Sequence, residues 1–308
     1  MFIKHSMKTK SLLLLPVLLI WLSCTKTLDL QLGKLPSKIV LNSFFQPDST
    51  FKVLVSYPIE ITQRGRPVIE DAQVRLYKDD IFIEELQYNN YFYRSIIKPQ
   101  VGSCYRIEVE AKNYTSVTAV DTVPENPILL HTEFIKNYQT GYGNSGVQYT
   151  INRLKCTLYD DLSHRNYYEI YVLYKFWSEF DQAYLYIALG FDKNECEIIN
   201  HEGVIDYYPR SIVFSNELFT SNEQQIDINV DASNFFDFNP EGDLIVIFRK
   251  VSHAYYAYQK SMTIHDYFQY GDDDLWATPM PVDLYTNVEN GLGVFATYNE
   301  VRDTISVN

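Results

Sequence analysis

Tyr105-Arg106-Ile107-Glu108-Val109-Glu110-Ala111 is the stretch that decides the fold. Apolar side chains stand at every second position, with charged ones between. Successive side chains of an extended chain point to opposite faces, so this spacing makes one face apolar and the other charged. That pattern belongs to a half-buried antiparallel strand. The same period recurs upstream. Phe51, Val53, Val55 and Tyr57 alternate with Lys52, Leu54 and Ser56, and Ala72, Val74 and Leu76 alternate with Gln73 and Arg75. Pro47-Asp48, Arg64-Gly65, Lys78-Asp79-Asp80, Asn89-Asn90 and the segment 99–102 supply turns between these runs. Short strands separated by turn residues predict an immunoglobulin-like β-sandwich over residues 36–124. Val123-Pro124-Glu125-Asn126-Pro127 closes it, because two prolines so close disfavour a regular element.

Residues 125–308 read as a larger β-sandwich domain carrying one helix, so the chain as a whole is all-β. Leu154, Cys156 and Leu158 alternate with Lys155 and Thr157. Tyr168, Ile170, Val172, Tyr174 and Phe176 share one strand face, and the opposite face is itself partly apolar, which predicts a central strand. Residues 183–191 and 244–248 read as buried strands. Ile226, Ile228 and Val230 alternate with Asp227, Asn229 and Asp231. One segment changes period. Val251, Tyr255, Tyr258 and Met262 recur at helical spacing, with Ser252 placed to cap, so a helix is expected near 252–267.

The N-terminus is an address. Lys4, Lys8 and Lys10 precede an apolar run from Leu12 to Leu22, too short to span a bilayer but of signal-peptide length. Ser23 then precedes Cys24. The arrangement resembles the lipobox of bacterial lipoproteins, with Trp21 where leucine is usual. The resemblance implies a signal peptide over 1–23, acylation (palmitate) on Cys24, and a lipidated tether over 24–35. The chain carries 39 acidic and 26 basic residues, a formal charge of −13. Removal of residues 1–23 removes three lysines and no acid, leaving −16. Such a body lacks the basic surface that nucleic acids require and is repelled by anionic headgroups, so attachment falls to the acyl chains.

Motifs of catalysis are missing from the sequence. Gly143-Asn144-Ser145-Gly146 is followed by Val147 and does not make a nucleophile elbow. No Walker loop, G-x-G-x-x-G or H-E-x-x-H occurs. Asp227, Asn229 and Asp231 resemble the start of a calcium loop, but Ala232 and Phe238 stand where glycine and glutamate are needed. Asp272, Asp273 and Asp274 read as a solvated loop. No catalytic residue, metal site or cofactor is expected. Cys104, Cys156 and Cys196 allow one disulfide at most; a Cys156–Cys196 pairing stays open beside the reading of Cys104 and Cys156 as buried small hydrophobes. The 26 tyrosines cluster at Tyr88, Tyr91 and Tyr93, at Tyr167, Tyr168, Tyr171 and Tyr174, and at Tyr255, Tyr256 and Tyr258. Tyrosine serves both strands and interfaces. Tyr256, off the helical stripe, is the better interface candidate.

Three stretches converge on a family. Ile39-Val40-Leu41-Asn42-Ser43-Phe44-Phe45-Gln46-Pro47-Asp48-Ser49 follows the anchor. Ala111-Lys112-Asn113-Tyr114 leads to Ala119-Val120-Asp121-Thr122-Val123-Pro124. Thr286-Asn287-Val288-Glu289-Asn290-Gly291-Leu292-Gly293-Val294-Phe295 follows the helix. This order resembles the family called domain of unknown function 4249, outer-membrane lipoproteins of Bacteroidetes-type bacteria commonly encoded beside TonB-dependent receptors. The resemblance covers nearly the whole mature chain. It implies an immunoglobulin-like or carboxypeptidase-regulatory-like domain followed by a larger β domain. It carries over no catalytic residue; only Cys24 has a defined role. The expected function is that of a lipid-anchored, non-catalytic accessory or binding partner of a TonB-dependent receptor in nutrient uptake. The alternatives are a surface adhesin or structural lipoprotein and, behind it, a glycan- or peptide-acting hydrolase.

Overall fold

The computed structural model describes residues 37–59, 64–65, 67–142, 148–192, 196–203, 209–231, 241–270 and 282–307. The signal peptide, the tether with Cys24, and the segments 143–146 and 272–274 lie outside the described residues. In chain order the strands are β1 (Val40–Phe45), β2 (Lys52–Ser56), β3 (Gln73–Lys78), β4 (Ile81–Glu85), β5 (Gln87–Asn89), β6 (Phe92–Arg94), β7 (Cys104–Glu110), β8 (Val117–Thr122), β9 (Ile128–Tyr142), β10 (Gln148–Tyr159), β11 (Tyr167–Ser178), β12 (Ala183–Ala188) and β13 (Gly190–Asp192). A short helix α1 (Glu197–His201) precedes β14 (Ser211–Ser215), β15 (Glu223–Asp231) and β16 (Gly242–Val251). Helix α2 (His253–Tyr270) and β17 (Leu292–Val307) complete the chain.

The opening stretch forms β7, where Tyr105, Ile107 and Val109 are fully buried. Its antiparallel register with β3 sets Ile107 opposite Leu76 and Val109 opposite Val74, so the inward side chains of both strands meet on one face. β7 and β3 lie in a four-stranded sheet ordered β4-β3-β7-β8. A second four-stranded sheet is ordered β13-β15-β10-β9. A nine-stranded sheet runs β12-β11-β16-β17-β1-β2-β6-β5, and β14 adds to β11 beyond β12.

Each small sheet packs on a different part of the large one. The first core joins Val74, Leu76, Tyr105 and Ile107 to Phe45, Phe51, Val53 and Phe295. The second joins Leu154, Cys156, Ile226 and Ile228 to Ile170, Val172, Tyr174 and Val246. Full burial of each such side chain contributes about 1.5–3 kcal/mol, which makes these clusters the main source of stability. A third cluster, with Val251, Ala254, Tyr255, Val294 and Ala296, lies on the opposite face of the large sheet, beneath α2. Val294 and Ala296 alternate with Phe295, which is why one strand serves two cores on two faces.

The paired prolines at 124 and 127 separate two cores but not two sheets. β1 pairs in parallel with β17, from Val40 opposite Leu292 to Phe45 opposite Thr297. Phe295, from the C-terminal strand, packs at 4.5 Å between ring centroids on Phe45. The segment 286–295 builds this joint. Asn287 Nδ2 donates to the Phe295 carbonyl at 2.8 Å, and the Phe295 N–H returns to Asn287 Oδ1 at 3.0 Å. The side chain thus imitates a ladder partner. Gly293 takes a positive φ of 97° where β17 meets β1, a conformation that favours glycine.

The helix begins at His253 and runs to Tyr270, three residues beyond the expected end. Ser252 caps it, its Oγ accepting the Tyr255 N–H at 3.2 Å. Asp227, Asn229 and Asp231 lie on strand β15. The segment 183–191 departs from expectation. It is two strands, β12 and β13, and β12 is an exposed sheet edge rather than a buried strand. No helix among the described residues is long and apolar enough to cross a membrane.

Candidate functional site

Strand β11 sorts its tyrosines by parity. Tyr168 and Tyr174 point into the second core and are fully buried. Tyr168 donates its hydroxyl to Asp160 at 2.6 Å, so burial and the facing carboxylate both push its pKa up. Tyr167 and Tyr171 point to the other face, together with Lys175 and Trp177. Helix α2 covers the Tyr167 end of that face, and the Tyr256 ring packs at a tilt on Tyr167, 4.7 Å between centroids.

Beneath the helix lies a charged knot. Arg249 donates from Nε to Glu300 at 2.9 Å, from Nη1 to Glu169 at 2.8 Å and from Nη2 to the Tyr171 hydroxyl at 2.9 Å. Its guanidinium also lies 4.3 Å from the Tyr298 ring centroid. Tyr255 donates to Glu169 at 2.8 Å. Burial alone lowers an arginine's pKa; here Tyr255 and Glu169 outweigh it and Arg249 stays charged. Burial pushes Glu300 up, and Arg302 and Arg249 pull it below the usual carboxylate range. The knot therefore holds ionised groups in mutual satisfaction and fixes α2 to the sheet.

Tyr256 is not free for a partner. Its hydroxyl donates to Glu202 at 2.6 Å. The same carboxylate accepts the Lys260 ammonium at 2.8 Å and the Ser215 N–H at 2.8 Å. Burial raises the Glu202 pKa, and these three donors more than reverse it. The proposed interface tyrosine thus belongs to the helix–sheet joint. Tyr93 is equally committed: its hydroxyl accepts from the Ala72 N–H at 2.8 Å and donates to the Ile69 carbonyl at 2.9 Å. Of that cluster only Tyr91 is exposed.

The exposed aromatic surface lies elsewhere, on the β11–β12 hairpin. Trp177 is 43% exposed, Phe180 96%, Tyr184 57% and Tyr186 56%. The register sets Trp177 opposite Tyr184 and Lys175 opposite Tyr186. Trp177 and Tyr184 meet edge to face at 5.1 Å. Lys175 Nζ lies 4.5 Å from the Tyr184 ring centroid and 3.6 Å from Asp243, which holds the platform in place. β12 is also the last strand of the large sheet. Edge strands are ordinarily blunted by charge, proline or a bulge. Ala183-Tyr184-Leu185-Tyr186-Ile187-Ala188 has none of these, and among the described residues its outer backbone edge pairs with no strand, beside large aromatic rings. The sequence carried a trace of this site: its outward positions are tyrosine and tryptophan, the amphipathic aromatics of interfaces, rather than valine or isoleucine.

Cys156 and Cys196 are buried and unbonded; Cys104, expected to be buried, is half-buried and also free. Burial pushes the Cys156 thiol up to about 12. No three His, Cys, Asp or Glu side chains among the described residues are grouped to hold a metal ion.

The family model described as "Domain of unknown function (DUF4249)" matches residues 25–304. No curated protein matches the chain. A solved structure described as a membrane anchored protein from Corynebacterium diphtheriae is similar over 71% of this chain and 56% of that one, at 7% identity and a TM-score of 0.22. The chain thus spans little more than half the length of that protein.

Proposed function

Because the chain belongs to the DUF4249 family, we propose that it is a lipid-anchored outer-membrane protein that binds rather than converts. In this reading it serves a TonB-dependent receptor as an accessory in nutrient uptake, held to the bilayer by acyl chains on Cys24. The observation that carries the reading is β12. An uncharged edge strand flanked by Trp177, Tyr184 and Tyr186 supplies both components of strand addition: open backbone groups for affinity and aromatic anchors for specificity. A partner's extended segment would continue the nine-stranded sheet by one more strand.

Affinity purification through a C-terminal tag in mild detergent tests the partner. Recovery of a TonB-dependent receptor, lost when Tyr184 and Tyr186 are both replaced by Ser, is the expected result. Purification of the chain alone would favour the adhesin or structural reading. The anchor is tested separately: Cys24→Ala should abolish acyl labelling and release the protein from membranes. Continued labelling would overturn the assignment of Cys24.

A further inference from the structure

A second feature stands apart from the aromatic edge. A cavity of about 200 Å³ opens between α2 and the approach to β14. Helix α2 presents Gln259, Lys260, Thr263 and Ile264 to it, positions one and four apart that share a helical face. Arg210 and Ser211 stand on the opposite wall, and Val213 and Ile264 supply apolar surface.

The polar groups here divide into satisfied and unsatisfied. Glu202 has its two carboxylate oxygens taken by the Ser215 N–H, the Tyr256 hydroxyl and the Lys260 ammonium. Lys260 also donates to the Glu202 carbonyl. These two residues neutralise each other. Among the described residues, the Arg210 guanidinium, the Ser211 hydroxyl and the Gln259 amide have no hydrogen-bond or ion-pair partner. The described residues that line the cavity therefore carry a net charge of about +1 on a protein whose formal charge is −13. A planar guanidinium with five donors matches a two-oxygen anion, and an adjacent hydroxyl and amide extend the set. The apolar wall asks for an apolar body, which inorganic anions lack. Drug-sized ligands occupy about 300–1,000 Å³, so this cavity is too small for an oligosaccharide.

We propose that this cavity binds a small carboxylate with an apolar body, of the size of benzoate. Arg210 holds the carboxylate, with Ser211 and Gln259 beside it, and the body rests on Val213 and Ile264. The site is independent of the receptor-binding reading, since none of its residues belongs to the β11–β12 hairpin.

Titration of the full chain, in non-ionic detergent, with sodium benzoate tests it by calorimetry. Saturable binding with Kd of about 1 mM is expected for a ligand of this size. Arg210→Gln should weaken it at least about tenfold. The thermal midpoint should not move, because Arg210 is exposed and unpaired. Benzyl alcohol should lose a similar factor, and inorganic phosphate should not displace benzoate. Absence of saturation by about 10 mM, unchanged binding by Arg210→Gln, or displacement by phosphate would each overturn the proposal.

Discussion

Arg249 and Glu169 meet at 2.8 Å under helix α2, and the Glu169 side chain is only 5% exposed. With Glu300, 8% exposed on the other side of the guanidinium, they form a buried triad. Arg249 bridges both carboxylates in a low-dielectric setting; Glu300 keeps Arg302 at 2.6 Å, so removal of Arg249 leaves the Glu169 charge buried without a cation. Arg249→Met should destabilise the protein by about 3–5 kcal/mol, read as a lower urea midpoint. The triple variant that adds Glu169→Gln and Glu300→Gln should recover much of that loss. If the triple variant is no more stable than the single one, unpaired charge is not the cause.

Close approach of β17 to β1 makes a sharper prediction. A Cβ placed on Gly293 would lie 2.1 Å from the Leu41 carbonyl oxygen, in a backbone conformation that side chains rarely adopt. Gly293→Ala should cost at least about 3 kcal/mol, strain and overlap acting together. Gly102 offers the control. Its φ is 76° but nothing lies within 4 Å, so Gly102→Ala should cost only about 1 kcal/mol. Equal losses in thermal unfolding would remove the close approach as the explanation.

Asp121 makes stability depend on pH. Its Oδ2 accepts the Thr297 N–H at 2.9 Å and its Oδ1 the Thr122 N–H at 3.0 Å, joining β8 to β17. Burial raises its pKa from 3.8 to about 7, against the pull of Ser252 and the two backbone donors. The folded state therefore holds this proton more tightly than the unfolded chain. Stability from this group falls as pH rises from about 4 to about 7, and the full cost is present above that. Asp121→Asn loses one of the two acceptors at any pH, but relative to the native chain its stability should rise by about 2 kcal/mol between pH 4 and pH 8. The same difference from the native chain at both pH values in chemical denaturation would show that ionisation is not responsible.

The aromatic edge should matter to binding and not to folding. If β12 docks the receptor proposed above, Trp177→Ser or Tyr184→Ser should each weaken that capture by about 2 kcal/mol, roughly thirtyfold. The thermal midpoint should stay within experimental scatter, since neither ring contributes to a buried core. A matching drop in midpoint would make these residues structural and the loss of capture indirect.

The sequence was most legible where order is local. Tyr105, Ile107 and Val109 alternate because a strand alternates, and they are buried where that pattern puts them. Val251 and Tyr255 carry the helical stripe, and Ser252 sits at its start. What escaped was non-local. Leu185 and Ile187 flank Tyr186, so β12 is apolar on both faces and reads as covered; no residue within it reports that the large sheet stops there. Tyr256 looked available because it lies off the stripe, and its partner Glu202 arrives from 54 residues away. The parallel ladder between β1 and β17 has no local signature either, apart from a glycine whose reason becomes visible only in the fold.

That ladder sets a schedule for biogenesis. Thr297 Oγ1 closes on the Phe45 carbonyl across a separation of 252 residues. β1 leaves the ribosome first, yet its neighbour is the last of the described strands to follow. The N-terminal sandwich lacks Phe295 until then, so its core is incomplete while the chain is being made. Contacts this distant fold slowly and leave strand edges open in the interval. The chain must be whole before either half is finished, and a molecule interrupted before β17 forfeits both sandwiches together.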